Sequence, residues 1–230
     1  MFVHFTLHPS ALQPHVPYDL DLWRGRAMVS CVMFTMEGLR LARAWPCVNW
    51  LFRPFRAQRF LNVRTYVRHE EGRGIHFIAE WISDRLCVSM GPALYSLPYR
   101  WGRFERGLER GGVSLAEPET WTERVTGVNE AAAIELEVRC SKGDAPRVCE
   151  PGSQSEFLLE RYAAFNGCGR RRKRMFAIAH APWRRRQADV AWSCVDLLSR
   201  EFPWFRDCRP AGAEYSIRLK DVRMGAPRAV

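Results

Sequence analysis

The chain has 230 residues, 47% of them hydrophobic and 26% charged, a balance that lets a globular protein bury a sizeable core. No apolar run approaches the roughly 18 residues of a membrane-spanning helix, and Met1 to Pro9 lacks the basic head and apolar stretch of a secretory leader. The net charge of +10 is nearly all arginine: Lys142, Lys173 and Lys220 are the lysines among 35 basic residues. Together these features predict one cytoplasmic domain spanning residues 1–230, with no membrane association.

In chain order, a short helix is expected from Ser10 to His15 and a strand from Ala27 to Met36. The clearest period-two alternation follows at Leu61 to Arg68 (LNVRTYVR): Leu61, Val63, Thr65 and Val67 share one face, and Asn62, Arg64, Tyr66 and Arg68 the other. Glu71-Gly72 marks a turn into a strand at Ile75 to Ile82, followed by a short helix around Pro92 to Leu97. Arg100 to Arg106 is a further strand candidate, with a turn at Gly111-Gly112. Ile134 to Cys140 (IELEVRC) alternates again, before a turn at Lys142-Gly143.

One helix is well signalled near 153–166. Pro151-Gly152 makes a turn, and Ser153 with Glu156 fits a capping box at S-x-x-E spacing. Leu158, Tyr162 and Phe165 then recur at helical spacing, and Asn166-Gly167 offers a left-handed stop. Strands at Arg174 to His180 and Tyr215 to Val222, with a helix from Ser193 to Glu201 between them, complete the pattern. Many short strands with few helices predict a mostly β (α+β) fold, an antiparallel β-barrel or sandwich.

The eight cysteines include no C-x-x-C pair and none at zinc-finger spacing from a histidine, so they read as reduced thiols, with no metal site and no cofactor. Two basic runs, Arg170 to Arg174 and Arg184 to Arg186, could contact phosphate backbones. No nucleic-acid motif accompanies them, so a solvated surface is the preferred reading and nucleic acid the weaker alternative.

Four blocks occur in the order seen in the YqjF-like family of bacterial proteins: Leu61 to Val67 (LNVRTYV), Ala93 to Tyr99 (ALYSLPY), Phe157 to Tyr162 (FLLERY) and Ala179 to Trp183 (AHAPW). The stretch from Leu12 to Phe34 also resembles that family's opening segment, so the likeness runs from about Phe5 to about Asp189. The family resembles the acetoacetate decarboxylase superfamily in fold, which implies a β-barrel-like core around a small cavity. In those decarboxylases a Pro-Lys-Lys segment supplies a Schiff-base lysine and the neighbour that lowers its pKa. The matching segment here is Pro98-Tyr99-Arg100, so both lysines are missing and the known covalent chemistry loses its nucleophile. The chain also departs from its own family, with Leu61 where an acidic residue often precedes the Asn of the first block. It has Trp81 in place of a family aspartate, with Glu80 and Asp84 alongside, and Gly91-Pro92-Ala93 where the family has Ala-Arg before the tyrosine.

Six side chains and one histidine then become candidates. Asn62, Arg64 and Tyr66 on one strand face would suit a carboxylate or phosphate, because a guanidinium binds planar anions bidentately. The alternatives for Arg64 are a surface position or pairing with a structural carboxylate such as Glu160. Tyr95 and Tyr99 flank the proline of the block that matches the decarboxylase site, and Tyr162 lies in the FLLERY block. Tyr99 and His180 are the acid–base candidates, His180 because an unperturbed imidazole titrates near neutrality. The residues thus predict a pocket for a small anionic or carbonyl-bearing ligand, with or without lysine-independent lyase or hydrolase chemistry. Whether copies of the chain associate stays open.

Overall fold

A computed structural model of the chain describes residues 1–37, 57–108, 119–128, 132–140, 144–167, 172–216 and 222–230. The strands of its first half are β1 (Phe2–Leu7), β2 (Asp19–Leu20), β3 (Ala27–Glu37), β4 (Ala57–His69), β5 (Gly72–Ile82), β6 (Tyr99–Trp101) and β7 (Arg103–Leu108). Those of the second half are β8 (Glu119–Thr126), β9 (Ala133–Cys140), β10 (Arg147–Val148), β11 (Ala163–Asn166), β12 (Arg174–Ala179), β13 (Arg184–Cys194), β14 (Arg209–Ser216), β15 (Arg223–Met224) and β16 (Arg228–Ala229). Helices α1 (Pro9–Leu12), α2 (Arg85–Tyr95), α3 (Gln154–Leu159) and α4 (Asp196–Glu201) and two 3-10 turns interrupt them. The main path through the sheet runs β15-β12-β11-β5-β4-β3-β1-β14-β13-β9-β8-β7. Pairing is antiparallel except where β5 meets β11 and β6, which makes the sheet mixed.

The sheet curls so that β8 and β9, near one end, share a core with its central strands. Val3, Phe5, Cys31, Leu61, Val63 and Trp81 from the β1–β5 region pack with Trp121, Ile134, Leu136 and Val138 from β8 and β9. The opposite face of β1, β3, β4 and β5 carries a second apolar cluster, in which Phe2, Val32, Tyr66 and Phe77 lie under Phe157, Leu158 and Leu159 of α3 and Phe176 of β12. Both faces of the central strands are therefore covered, and most of their alternating side chains are buried whatever their polarity. Fully burying a large apolar side chain is worth roughly 1.5–3 kcal/mol, so these two clusters supply the main driving force for the curl.

Several sequence expectations need correction. The helix that begins at Ser153 ends at Leu159 instead of running to Phe165. Its cap is as expected, with the Ser153 hydroxyl accepting from Glu156 N–H at 3.1 Å. Beyond it, Arg161 turns inward, donating to Phe157 O at 2.6 Å and to Asp21 at 2.9 Å. Ala163–Asn166 then pairs with β12 as a strand. Leu158 and Phe165 consequently sit in different clusters and Tyr162 is 44% exposed, so no shared stripe exists. The helix expected around Pro92 starts at Arg85, where the Asp84 carboxylate caps Cys87 N–H at 3.0 Å, and ends with Ser96 at a left-handed φ of 57°.

The last helix begins at Asp196 instead of Ser193, and strands β1, β8 and β13 were not expected. Arg184 to Arg186 opens β13, with Arg184 exposed and Arg185 and Arg186 half-buried, and Arg185 meets buried Glu214 at 3.1 Å. The turns at Gly111-Gly112 and Lys142-Gly143, Arg170, Arg171 and residues 217–221 of the expected last strand lie outside the described residues.

Candidate functional site

The register of the central strands turns sequence into geometry, because directly opposite residues share a face. Glu214 of β14, Phe2 of β1, Val32 of β3, Asn62 of β4, Glu80 of β5 and Tyr99 of β6 form one such row. The adjacent row runs from His4 through Ser30 and Arg64 to Phe77. Both rows lie on the face covered by α3, so the polar members are enclosed: Asn62 and Glu80 are each 4% exposed and Arg64 8%.

Arg64 is neither a convex-surface residue nor the partner of Glu160. Its terminal nitrogen donates to Leu158 O at 3.0 Å, and its guanidinium carbon lies 5.6 Å from the centre of Phe2 and 5.9 Å from that of Tyr66. Glu160 instead bonds Tyr162 Oη and Trp183 N–H. Burial pushes the Glu80 carboxyl up to about 8, and the charge of Arg64 pulls it back part of the way. Glu80 is therefore mostly protonated at neutral pH and able to donate a hydrogen bond. Tyr99, across the ladder, is held above the ordinary phenol range first by burial and then by Glu80.

Three atoms of β4 and β5 in these two rows are buried without a hydrogen-bond partner, Asn62 Oδ1, Arg64 Nε and Glu80 Oε2, and at the far end of the rows His4 Nε2 and Glu214 Oε2 also lack one. An unpaired buried polar atom costs roughly 1–3 kcal/mol, so three together, an acceptor, a donor and a carboxyl oxygen, mark a place where a polar guest would be stabilised. Tyr66, on the same face, hydrogen-bonds Ser30 Oγ at 2.5 Å.

The other predicted residues are divided. Tyr95 closes α2 and packs edge-on to Phe176 at 5.2 Å, a packing role beside the row. Arg100 pairs across from Trp81, lies over its ring at 5.3 Å and binds Glu201, so it faces the larger core and not Tyr99. Tyr162 and His180 stack on each other at 4.5 Å as a separate pair near the surface, with His180 Nδ1 2.8 Å from Ala181 O. The structure thus brings Asn62, Arg64, Tyr66 and Tyr99 onto one buried face and sets Tyr162 and His180 apart from it.

Sequence reasoning did not select Glu80, His4, Ser30 or Glu214. A β-bulge explains Glu80. Register slips between Val63 and Arg64, so Val63 opposes Ala79 while Arg64 opposes Phe77, leaving Ile78 as the extra residue. Phe77 and Glu80, three apart, therefore share a face, and simple alternation assigns them to opposite ones.

Solved structures of the acetoacetate decarboxylase type share this fold. An acetoacetate decarboxylase-like enzyme from Sphingomonas wittichii RW1 superposes with a TM-score of 0.63 at 12% identity, covering 100% of this chain and 89% of that one. Acetoacetate decarboxylase from Legionella pneumophila gives 0.61 at 11% identity, covering 100% and 84%. The enduracididine biosynthesis enzyme MppR complexed with pyruvate gives 0.58 at 13% identity, covering 97% and 86%. The chain belongs to the DUF2071 family, described as an uncharacterized conserved protein, whose model matches residues 1–207. It is 28% identical over 193 residues to the uncharacterized protein YqjF of Bacillus subtilis (strain 168), covering 83% of this chain and 73% of YqjF.

Proposed function

We propose that the chain binds a small molecule bearing a carboxylate or carbonyl group between Asn62, Arg64, Glu80 and Tyr99. The observation that carries this reading is the convergence of three partnerless buried atoms, Asn62 Oδ1, Arg64 Nε and Glu80 Oε2, on neighbouring ladder positions. Arg64 supplies the cationic donor and the protonated Glu80 a neutral one, so an oxygen-rich guest of at most one negative charge fits the electrostatics. That MppR is described in complex with pyruvate makes short 2-oxo acids the first ligands to try. The described side chains form no helix long and apolar enough to cross a membrane, in keeping with a cytoplasmic metabolite-binding role.

Turnover by this site would be lyase-like or hydrolase-like acid–base chemistry, with Glu80 and Tyr99 as the groups able to hold a proton at the guest. Lys142 and Lys220 lie outside the described residues, and among the described residues no lysine stands at this site to form an imine. Tyr99 replaces the expected lysine, Arg100 faces away, and Lys173 lies at the surface donating to Pro17 O at 3.2 Å. Borohydride reduction with acetoacetate should leave every lysine unmodified.

The reading is tested by thermal shift with pyruvate, acetoacetate, acetate and acetone against the wild type and Arg64→Gln. A ligand at 100 times its Kd stabilises the fold by about 2.7 kcal/mol, so the wild type should melt higher with at least one oxo acid and the variant should not. Equal responses from both proteins would overturn the assignment.

A further inference from the structure

Next to that site, four side chains from four strands line up in a buried row, the first three linked by hydrogen bonds. Tyr66 Oη lies 2.5 Å from Ser30 Oγ, and Ser30 Oγ lies 2.7 Å from His4 Nδ1. On the far side of the ring, His4 Nε2 stands 3.4 Å from Glu214 Oε2, an ion-pair distance at which neither atom completes a hydrogen bond. Ser30 is 0% exposed, His4 2% and Glu214 6%. Ser155 Oγ and Arg185 Nε, the latter at 3.1 Å, hold the other oxygen of Glu214, and against the upward push of burial His4, Ser155 and Arg185 together keep its carboxyl below the usual range. An anion facing Nε2 selects the tautomer with its proton there, leaving Nδ1 as the acceptor for the Ser30 hydroxyl. Ser30 is also the direct cross-strand neighbour of Arg64, whose Nε has no partner.

From this arrangement we infer that Ser30 is a nucleophile, with His4 as its general base and Glu214 as the positioning residue that orients His4. This is the nucleophile–base–carboxylate logic of acyl-transfer sites, built on adjacent strands instead of loops. The substrate class is a small ester or thioester whose acid part bears the carboxylate or carbonyl that Arg64 and Glu80 would hold. In the step, Ser30 Oγ forms a bond to the acyl carbon and its proton passes to His4 Nδ1. The carbon–oxygen or carbon–sulfur bond then breaks, and the leaving alcohol or thiol takes that proton. Water attacks the acyl-serine in turn, giving its proton to His4, and the acid departs as Ser30 regains a proton. Ser30 is fully buried, so the inference rests on the proposed site beside Arg64 and Glu80 admitting a guest.

The test uses a small alkyl fluorophosphonate, which reports serine activation without knowledge of the substrate. Ser30 Oγ forms the bond to phosphorus, the phosphorus–fluorine bond breaks, and fluoride leaves. Peptide mass spectrometry should find a single adduct on Ser30, absent from Ser30→Ala, and formed at least about 100-fold more slowly in His4→Gln. Should His4→Gln fail to fold, Glu214→Gln carries the same comparison, with its melting temperature as the control for folding. An unmodified Ser30 in the wild type, or labelling that ignores His4 and Glu214, refutes the inference. The two readings fail separately: oxo-acid stabilisation without a Ser30 adduct removes the nucleophile alone, and an adduct without stabilisation removes the oxo-acid ligand alone.

Discussion

Glu80 is the residue on which the electrostatic account turns. Its carboxyl is raised to about 8 by burial, so between its ordinary value and that point the folded protein holds a proton that the unfolded chain has released. With more protons bound in the native state, stability must fall as pH rises across that window, and the loss is complete above pH 8. At 1.36 kcal/mol per unit, the loss reaches no more than about 5 kcal/mol. Replacing Glu80 with Gln keeps the shape and removes the titration. Denaturant unfolding at several pH values should therefore show Glu80→Gln gaining on the wild type from pH 5 to pH 8. Parallel curves for the two proteins would mean that Glu80 is solvated.

At the level of elements, α3 and its surroundings show how local signals and tertiary pairing divide the work. The capping box was legible because it is a local device, and Ser153→Ala should cost about 1 kcal/mol in chemical denaturation. The end of the helix was not legible. Leu158, Tyr162 and Phe165 keep helical spacing, yet pairing of Ala163–Asn166 with β12 and β5 decides the outcome, and no short window contains those partners. Gly74 marks where β11 comes closest. A Cβ there would stand 2.6 Å from Ala163 O and 2.7 Å from the Phe165 ring. Gly74→Ala should thus destabilise by about 1–3 kcal/mol, and a neutral effect would show that β11 is free to move.

For the whole molecule, the mostly β fold follows from alternation read in sequence, and the site was half legible for the same reason. Asn62, Arg64 and Tyr66 alternate cleanly on β4, so their shared face could be read directly. Glu80 lies beyond a bulge that inverts parity, and His4, Ser30 and Glu214 come from strands that only the folded register brings together. Arginine was harder to read, since Arg64, Arg161 and Arg185 turn inward to Leu158, Asp21 and Glu214 while others remain in solvent. With part of the excess charge so engaged, nucleic-acid affinity in gel shifts should be weak and lost at physiological salt; tight, sequence-selective binding would contradict this. The central claim is that a guest touches the protonated carboxyl of Glu80. Calorimetric titration with pyruvate at pH 6 and pH 9 tests it in the wild type and in Glu80→Gln. If binding requires the proton, wild-type affinity should fall about tenfold over that interval while Glu80→Gln stays level, and the same pH dependence in both proteins would contradict the account.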